Sequence, residues 1–143
     1  MSDQLLVLEP HFRLPAVNTF THHERVGYLM RHGVHSMAFS TMQPGMEYFD
    51  VPGMGYIAYA RYWGLKFVLS DPVCEPCHVE AMLDRFVAQF PNAVFAQVTQ
   101  NVVDILHRKH AYYGTQLGSE SKITLADWSL HGKKKQIIRT AVN

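Results

Sequence analysis

The stretch GYIAYARYWGLKFVLSDPV, Gly55 to Val73, runs directly into CEPCHVEAMLDRFVAQF, Cys74 to Phe90. The first part alternates. Tyr56, Ala58, Ala60 and Tyr62 share one face of an extended chain, while Ile57, Tyr59, Arg61 and Trp63 share the other. The second part changes period. Val79, Met82, Leu83, Phe86, Val87 and Phe90 recur at i, i+3, i+4, i+7, i+8 and i+11, which is one apolar stripe on a helix. Strands that give way to an amphipathic helix predict an α/β domain.

Further alternating segments lie upstream. HSMAFSTM (35–42) and MEYFDV (46–51) read as strands, and 55–63 and 65–73 complete a set of four. Pro44-Gly45, Pro52-Gly53 and Gly64 supply tight turns, so the four form an antiparallel meander. Before them, Thr21 and Glu24 make a capping box that opens a helix over 21–32. Val26, Leu29 and Met30 lie on one of its faces, and Gly33 stops it. The first segment, with EPHFRLP, is loop-like. Downstream, AVFAQVT (93–99) is a compact strand. Thr99 is placed to cap a helix over 100–110, whose last turn holds His107, Arg108, Lys109 and His110, where positive charge suits the helix dipole. An extended stretch runs from Gly114 to Leu125, and the end reads as a turn opening a helix. The order α-β-β-β-β-α-β-α-β-α predicts a mixed, mostly antiparallel sheet with helices on both faces.

The 143 residues suffice for one domain with a real core. Apolar residues make up 48% and charged residues 17%, which excludes a disordered chain. No apolar run is long enough to span a bilayer, and MSDQLLVLEP has no basic leader region, so the expected compartment is the cytoplasm. The net charge of +1 is unevenly spread. Residues 1–130 carry nine Lys/Arg against twelve Asp/Glu, whereas 131–143 carry Lys133, Lys134, Lys135 and Arg139 with no acid. A basic segment on a mildly acidic body points to a polyanion or a partner surface, or to a solvated helix face.

Cys74-Glu75-Pro76-Cys77-His78 is a C-x-x-C-H, which raises three chemistries. Covalent haem needs an oxidising, exported setting. A structural zinc needs four ligands, and only one Cys pair is present. A redox dithiol fits the position at a helix start, where the dipole lowers a thiol pKa. The plainest reading is a helix start, with Pro76 at the first position, Cys77 turned from the apolar face and Cys74 in the connecting loop. Nine histidines offer further donors. His22, His23, His32 and His35 surround one helix, and His107 and His110 lie three apart on another, but no carboxylate stands at a telling spacing. The chain has no G-x-S-x-G, no P-loop and no G-x-G-x-x-G. The aromatics of 55–63 can stack on bases or a ring beside Arg61, although sheet core is the commoner use of such a pattern.

GYIAYARYWGLKFVLSDPV, followed by FAQVTQNVVDILHRKHAYYGTQLGSESKITLADWSLHGKKKQIIRTAVN, resembles the C-terminal catalytic region of phosphatidylglycerol lysyltransferases. Ser70-Asp71-Pro72 matches that family's "GDP". Tyr113, Gly114, Leu117, Gly118, Glu120, Leu125, Ser129, Leu130, Gly132, Lys133, Lys134, Arg139 and Asn143 match its final run. The resemblance covers residues 25–143 and is strongest after 93. It implies a tandem of two acetyltransferase-like (GNAT) halves, as in the Fem-type aminoacyl-tRNA-dependent transferases, of which this chain is the first. Residues 1–130 are then one GNAT-like domain, and 131–143 are a basic segment leading toward a second half.

The resemblance assigns no catalytic residue, cofactor or metal here. A free-standing acetyl-CoA enzyme usually carries R/Q-x-x-G-x-G/A, whose amides hold a pyrophosphate, and the chain lacks it. The two cysteines depart from the family pattern. The leading expectation is half of an aminoacyl or acyl transferase, not catalytic alone, with Lys133, Lys134, Lys135 and Arg139 on the phosphates of tRNA or anionic lipid. The alternatives are a degenerate GNAT module that dimerises or scaffolds, and a stand-alone acetyl-CoA-dependent acetyltransferase.

Overall fold

The computed structural model describes residues 18–122, 124, 126, 128, 129 and 131–142. The loop-like first segment and Leu125 lie outside them. Helix α1 spans His22–His32. Its capping box forms as expected: the Thr21 hydroxyl accepts from the Glu24 amide at 3.2 Å, and the Glu24 carboxylate accepts from the Thr21 amide at 2.7 Å. The Gly33 amide closes the helix by donating to the Leu29 carbonyl at 2.8 Å.

The expected strand over 35–42 does not form. Ala38–Met42 is a 3-10 helix. Residues three apart eclipse on such a helix, which carries Ala38 and Thr41 inward together. The Thr41 hydroxyl donates to the Ala38 carbonyl at 2.5 Å and lies 3.0 Å from the Tyr56 hydroxyl. Buried side-chain partners at this spacing outweigh an alternation that has no strand beside it to pair with.

The sheet is built from β1 (Glu47–Val51), β2 (Gly55–Tyr62), β3 (Leu65–Leu69), β4 (Val73–Cys74) and β5 (Val94–Ala96). Strands β1, β2 and β3 form an antiparallel meander, and β5 lies parallel to β3. Trp63 and Gly64 both take positive φ, 49° and 78°, which fits the right-handed twist of a two-residue hairpin between β2 and β3. The single strand expected over 65–73 is split. β3 pairs with the far end of β2, and β4 pairs with its start at Gly55 and Tyr56. Gly55 is required there, because a Cβ at that position would stand 2.1 Å from the Val73 carbonyl oxygen.

Helices cover both faces. The alternation of β2 sends Tyr56 and Ala58 into a cluster with Val73, against which Phe20 and Tyr28 of the α1 side pack. Ile57 and Tyr59 join Phe49, Val68, Met82 and Phe86 on the other face, under helix α2 (Val79–Gln89). Phe49 meets Phe86 edge-on at 5.4 Å. Each fully buried side chain of this size contributes about 1.5–3 kcal/mol by leaving water. Helix α3 (Gln100–His110) packs on α2 through Val102, Ile105 and Leu106 against Leu83 and Val87. Residues 111–122 carry no helix or strand. A 3-10 turn, Lys133–Lys135, opens the short helix α4 (Gln136–Val142).

Helix α1 is tied to the sheet by a buried ion pair. Arg25 donates to Asp50 at 2.6 and 3.2 Å, and the Phe20 amide donates to the same carboxylate at 2.8 Å. The guanidinium also lies 3.9 Å over the Tyr48 ring. Each oxygen of the buried carboxylate therefore has a donor.

Candidate functional site

The sheet opens where β3 ends. Ser70 turns to φ 70°, out of the extended region, and its amide donates to the Ala96 carbonyl of β5 at 3.2 Å. Pro72 has no N–H to give a ladder, so pairing resumes only at Val73. Between them, Asp71 points across the gap. One of its carboxylate oxygens accepts from the Thr99 amide at 2.8 Å and the other from the Thr99 hydroxyl at 2.7 Å. This corrects the expected role of Thr99. It is the N-cap residue of α3, but its hydroxyl serves Asp71 instead of an α3 amide.

The break lines one side of a cleft of about 160 Å³. The end of α1 with His32 and His35 closes another side, and Pro76, Val79 and Asn101 bring the starts of α2 and α3 to it. Ser70 is 1% exposed, and its hydroxyl has no hydrogen-bond partner among the described residues. An unpaired buried hydroxyl costs free energy; among the described residues the Tyr59 hydroxyl is also buried without a partner, whereas Arg25, Thr41 and Asp50 are bonded. Sequence reading placed Ser70-Asp71-Pro72 in a motif but did not find this break or the reach from Asp71 to Thr99.

The cysteines part company here. Cys74 is not in a connecting loop, as expected, but on β4 and in the core. Burial pushes its thiol up to about 12, with Cys77, Asp71 and Glu75 adding to the rise. A thiol held neutral in this way is a poor nucleophile and a poor redox partner. Cys77 is exposed on the turn that precedes α2, and both cysteines are free thiols. Pro76 sits at the start of that turn as expected, in a 3-10 helix over Pro76–His78.

The histidine pair on α3 does not make a shared face. His107 Nδ1 lies 2.9 Å from the Tyr112 carbonyl, and His110 Nε2 lies 2.8 Å from Asp84. Asp84 and Glu80 of α2 also take Lys109, and Glu80 takes Arg108, so these charges join the two helices. In the basic segment, Lys133 is exposed, and Lys135 donates to the Ser129 carbonyl at 2.5 Å with its ammonium 5.2 Å over Trp128. The side chains of Lys134 and Arg139 lie outside the described residues. Lys133 and Lys135 are not among the residues of the cleft.

The family model of the phosphatidylglycerol lysyltransferase C-terminal region matches residues 26–143. The chain belongs to that family. Among solved structures, L-PGS from Bacillus licheniformis matches with a TM-score of 0.69 at 20% identity, over 85% of this chain and 40% of that one. Likeness at this identity speaks for the fold, and it supports the expected GNAT-like architecture of a mostly antiparallel mixed sheet with helices. A comparison with curated proteins finds no match. Membership of the lysyltransferase family makes this a transferase-related domain. Among the described residues, no helix is long and apolar enough to cross a membrane.

Proposed function

We propose that the chain supplies the N-terminal GNAT-like half of an aminoacyl- or acyl-transferring protein and does not carry out transfer alone. In this reading residues 1–130 form the domain, and 131–143 lead toward a second half in a cytoplasmic protein. The observation that carries it is the family match over residues 26–143 together with a chain that spans only 40% of the length of L-PGS. The cleft at the sheet break, about 160 Å³, lies well below the roughly 300–1,000 Å³ of a small-molecule site, and a wider surface hollow of about 630 Å³ runs along α4 beside Lys133. The opened sheet, the unpaired Ser70 hydroxyl and two helix starts supply one wall of a reaction site, and a facing domain would supply the other. Lys133, Lys134, Lys135 and Arg139 then hold phosphates of tRNA or of an anionic lipid, so that the protein works mainly by orientation. The test is transfer of a labelled aminoacyl group from aminoacyl-tRNA to phosphatidylglycerol vesicles. The chain alone is expected to show none. Turnover by the chain alone would overturn the half-site reading.

A second reading, a GNAT module that pairs with a copy of itself, is favoured by the apolar side chains Met30, Val34 and Phe39, which stand exposed around the end of α1 and the following turn. Light scattering tests it. A dimer supports pairing, and a monomer at all concentrations removes it.

A further inference from the structure

We propose that Glu75, Cys77 and His78 form a site for a divalent transition metal of the zinc class, at the start of α2. The donors of these three residues lie within 4.8 Å of one another. The C-x-x-C pair suggested by the sequence is not the chelating pair, because Cys74 is buried in the core on β4. Glu75 takes its place beside Cys77.

The local fold explains why three nearly consecutive residues converge. Glu75 is extended, at φ −61° and ψ 146°, immediately before Pro76 fixes the next φ. The turn is 3-10, closed by the His78 amide donating to the Glu75 carbonyl at 2.9 Å. That bond closes Glu75 and His78 into one tight turn, and Cys77 lies between them in sequence. Cys77 Sγ is already 3.7 Å from Glu75 Oε2. Bonds of about 2.0–2.3 Å at tetrahedral angles put ligand atoms about 3.3–3.8 Å apart, so this edge needs no movement and the others need only side-chain adjustment.

The three side chains are also available. Glu75 and Cys77 are exposed. His78 is half-buried, and its Nδ1 is shielded from solvent with no hydrogen-bond partner among the described residues, so a metal would answer an otherwise unsatisfied nitrogen. The nearest acid further along, Glu80, is engaged by Arg108 and Lys109. Thiolate, imidazole and carboxylate form a donor set that suits zinc, not calcium or magnesium. Two anionic donors balance a divalent ion, and each is itself favoured at a helix start. Binding releases the Cys77 proton to solvent. Three protein ligands leave a fourth position for water. This inference is independent of the transferase reading.

The test uses cobalt and zinc on the whole chain. One equivalent of cobalt is expected to give a thiolate-to-metal charge-transfer band, which zinc then abolishes. One equivalent of zinc is expected to slow alkylation of Cys77, located by peptide mass spectrometry, by at least about tenfold. Glu75→Gln and His78→Gln, which sit on the surface turn, are expected to weaken zinc binding by about 10–100-fold. Protection of Cys77 that survives both changes would overturn the site, as would zinc binding seen only at millimolar concentration. Loss of the cobalt band in Cys77→Ser supports it, and an unchanged band in that variant would contradict it.

Discussion

Asp71 and Thr99 are joined twice: the Asp71 carboxylate accepts from the Thr99 amide at 2.8 Å and from its hydroxyl at 2.7 Å. The pair spans the break between β3 and β4 and fixes the start of α3 to it. It takes the place of both a missing ladder hydrogen bond and a helix cap. Hydrogen bonds to a charged group contribute about 1.5–3 kcal/mol each. Asp71→Ala is therefore expected to lower stability by about 3 kcal/mol in urea unfolding, and Thr99→Val by about 1–2 kcal/mol, because the Thr99 amide bond survives. Equal losses would show that the hydroxyl, not the amide, carries the contact.

Ser70 gives the opposite expectation. Its buried hydroxyl has no partner among the described residues, and leaving such a group unpaired costs about 1–3 kcal/mol. Ser70→Ala removes the group and keeps the Cβ, so the positive φ of 70° is no more strained than before. The variant should be as stable as the natural chain or more so. A loss above about 2 kcal/mol would show that the hydroxyl is bonded after all.

The Arg25–Asp50 pair holds α1 on the sheet from inside, with Arg25 7% exposed and Asp50 fully buried. Asp50→Ala strands a guanidinium and a backbone amide, and it should cost about 3–5 kcal/mol. Replacing both partners with apolar residues, as in Arg25→Met with Asp50→Leu, should cost much less than the two single changes summed. Additive losses in urea unfolding would contradict this coupling.

Part of the acid sensitivity should trace to the α2–α3 contact, beside the Glu24 carboxyl that hydrogen bonds from Thr21 hold low at the start of α1. A hydrogen bond from Lys109 lowers the Glu80 carboxyl. Burial works to raise Asp84, but hydrogen bonds from Lys109 and His110 outweigh it and hold this carboxyl low too. Both carboxyls bind protons more readily in the unfolded chain. Their stabilisation is full above about pH 5 and fades as pH falls through about 4 and below. The urea midpoint of the natural chain should therefore fall more between about pH 5 and about pH 3 than that of a Glu80→Gln, Asp84→Asn variant. Parallel curves would place the acid sensitivity elsewhere.

Much of this fold was readable because its signals are local. The i, i+3, i+4 stripe from Val79 to Phe90 and the alternation from Tyr56 to Tyr59 each need only a period, and α2 and β2 stand where expected. The 3-10 helix at Ala38–Met42 was not readable, because what decides it is Thr41 meeting Tyr56 of β2. The same holds for the cleft. Its opening depends on a positive φ at Ser70 and on a reach of 28 residues from Asp71 to Thr99, and neither leaves a pattern in the sequence. The C-x-x-C-H is a helix start, as Pro76 at its first position predicts, but spacing alone cannot tell that β4 buries Cys74.

The proposed function has the chain bind phosphates through its basic segment and supply one wall of a reaction site. The most direct test is the salt dependence of tRNA binding, with anionic vesicles as the parallel ligand. If Lys133, Lys134, Lys135 and Arg139 each neutralise a phosphate, log K should fall against log salt with a slope of about −3. That slope should collapse toward zero when all four are changed to alanine. Affinity for both ligands that ignores salt, or a slope that survives the four changes, would contradict the account.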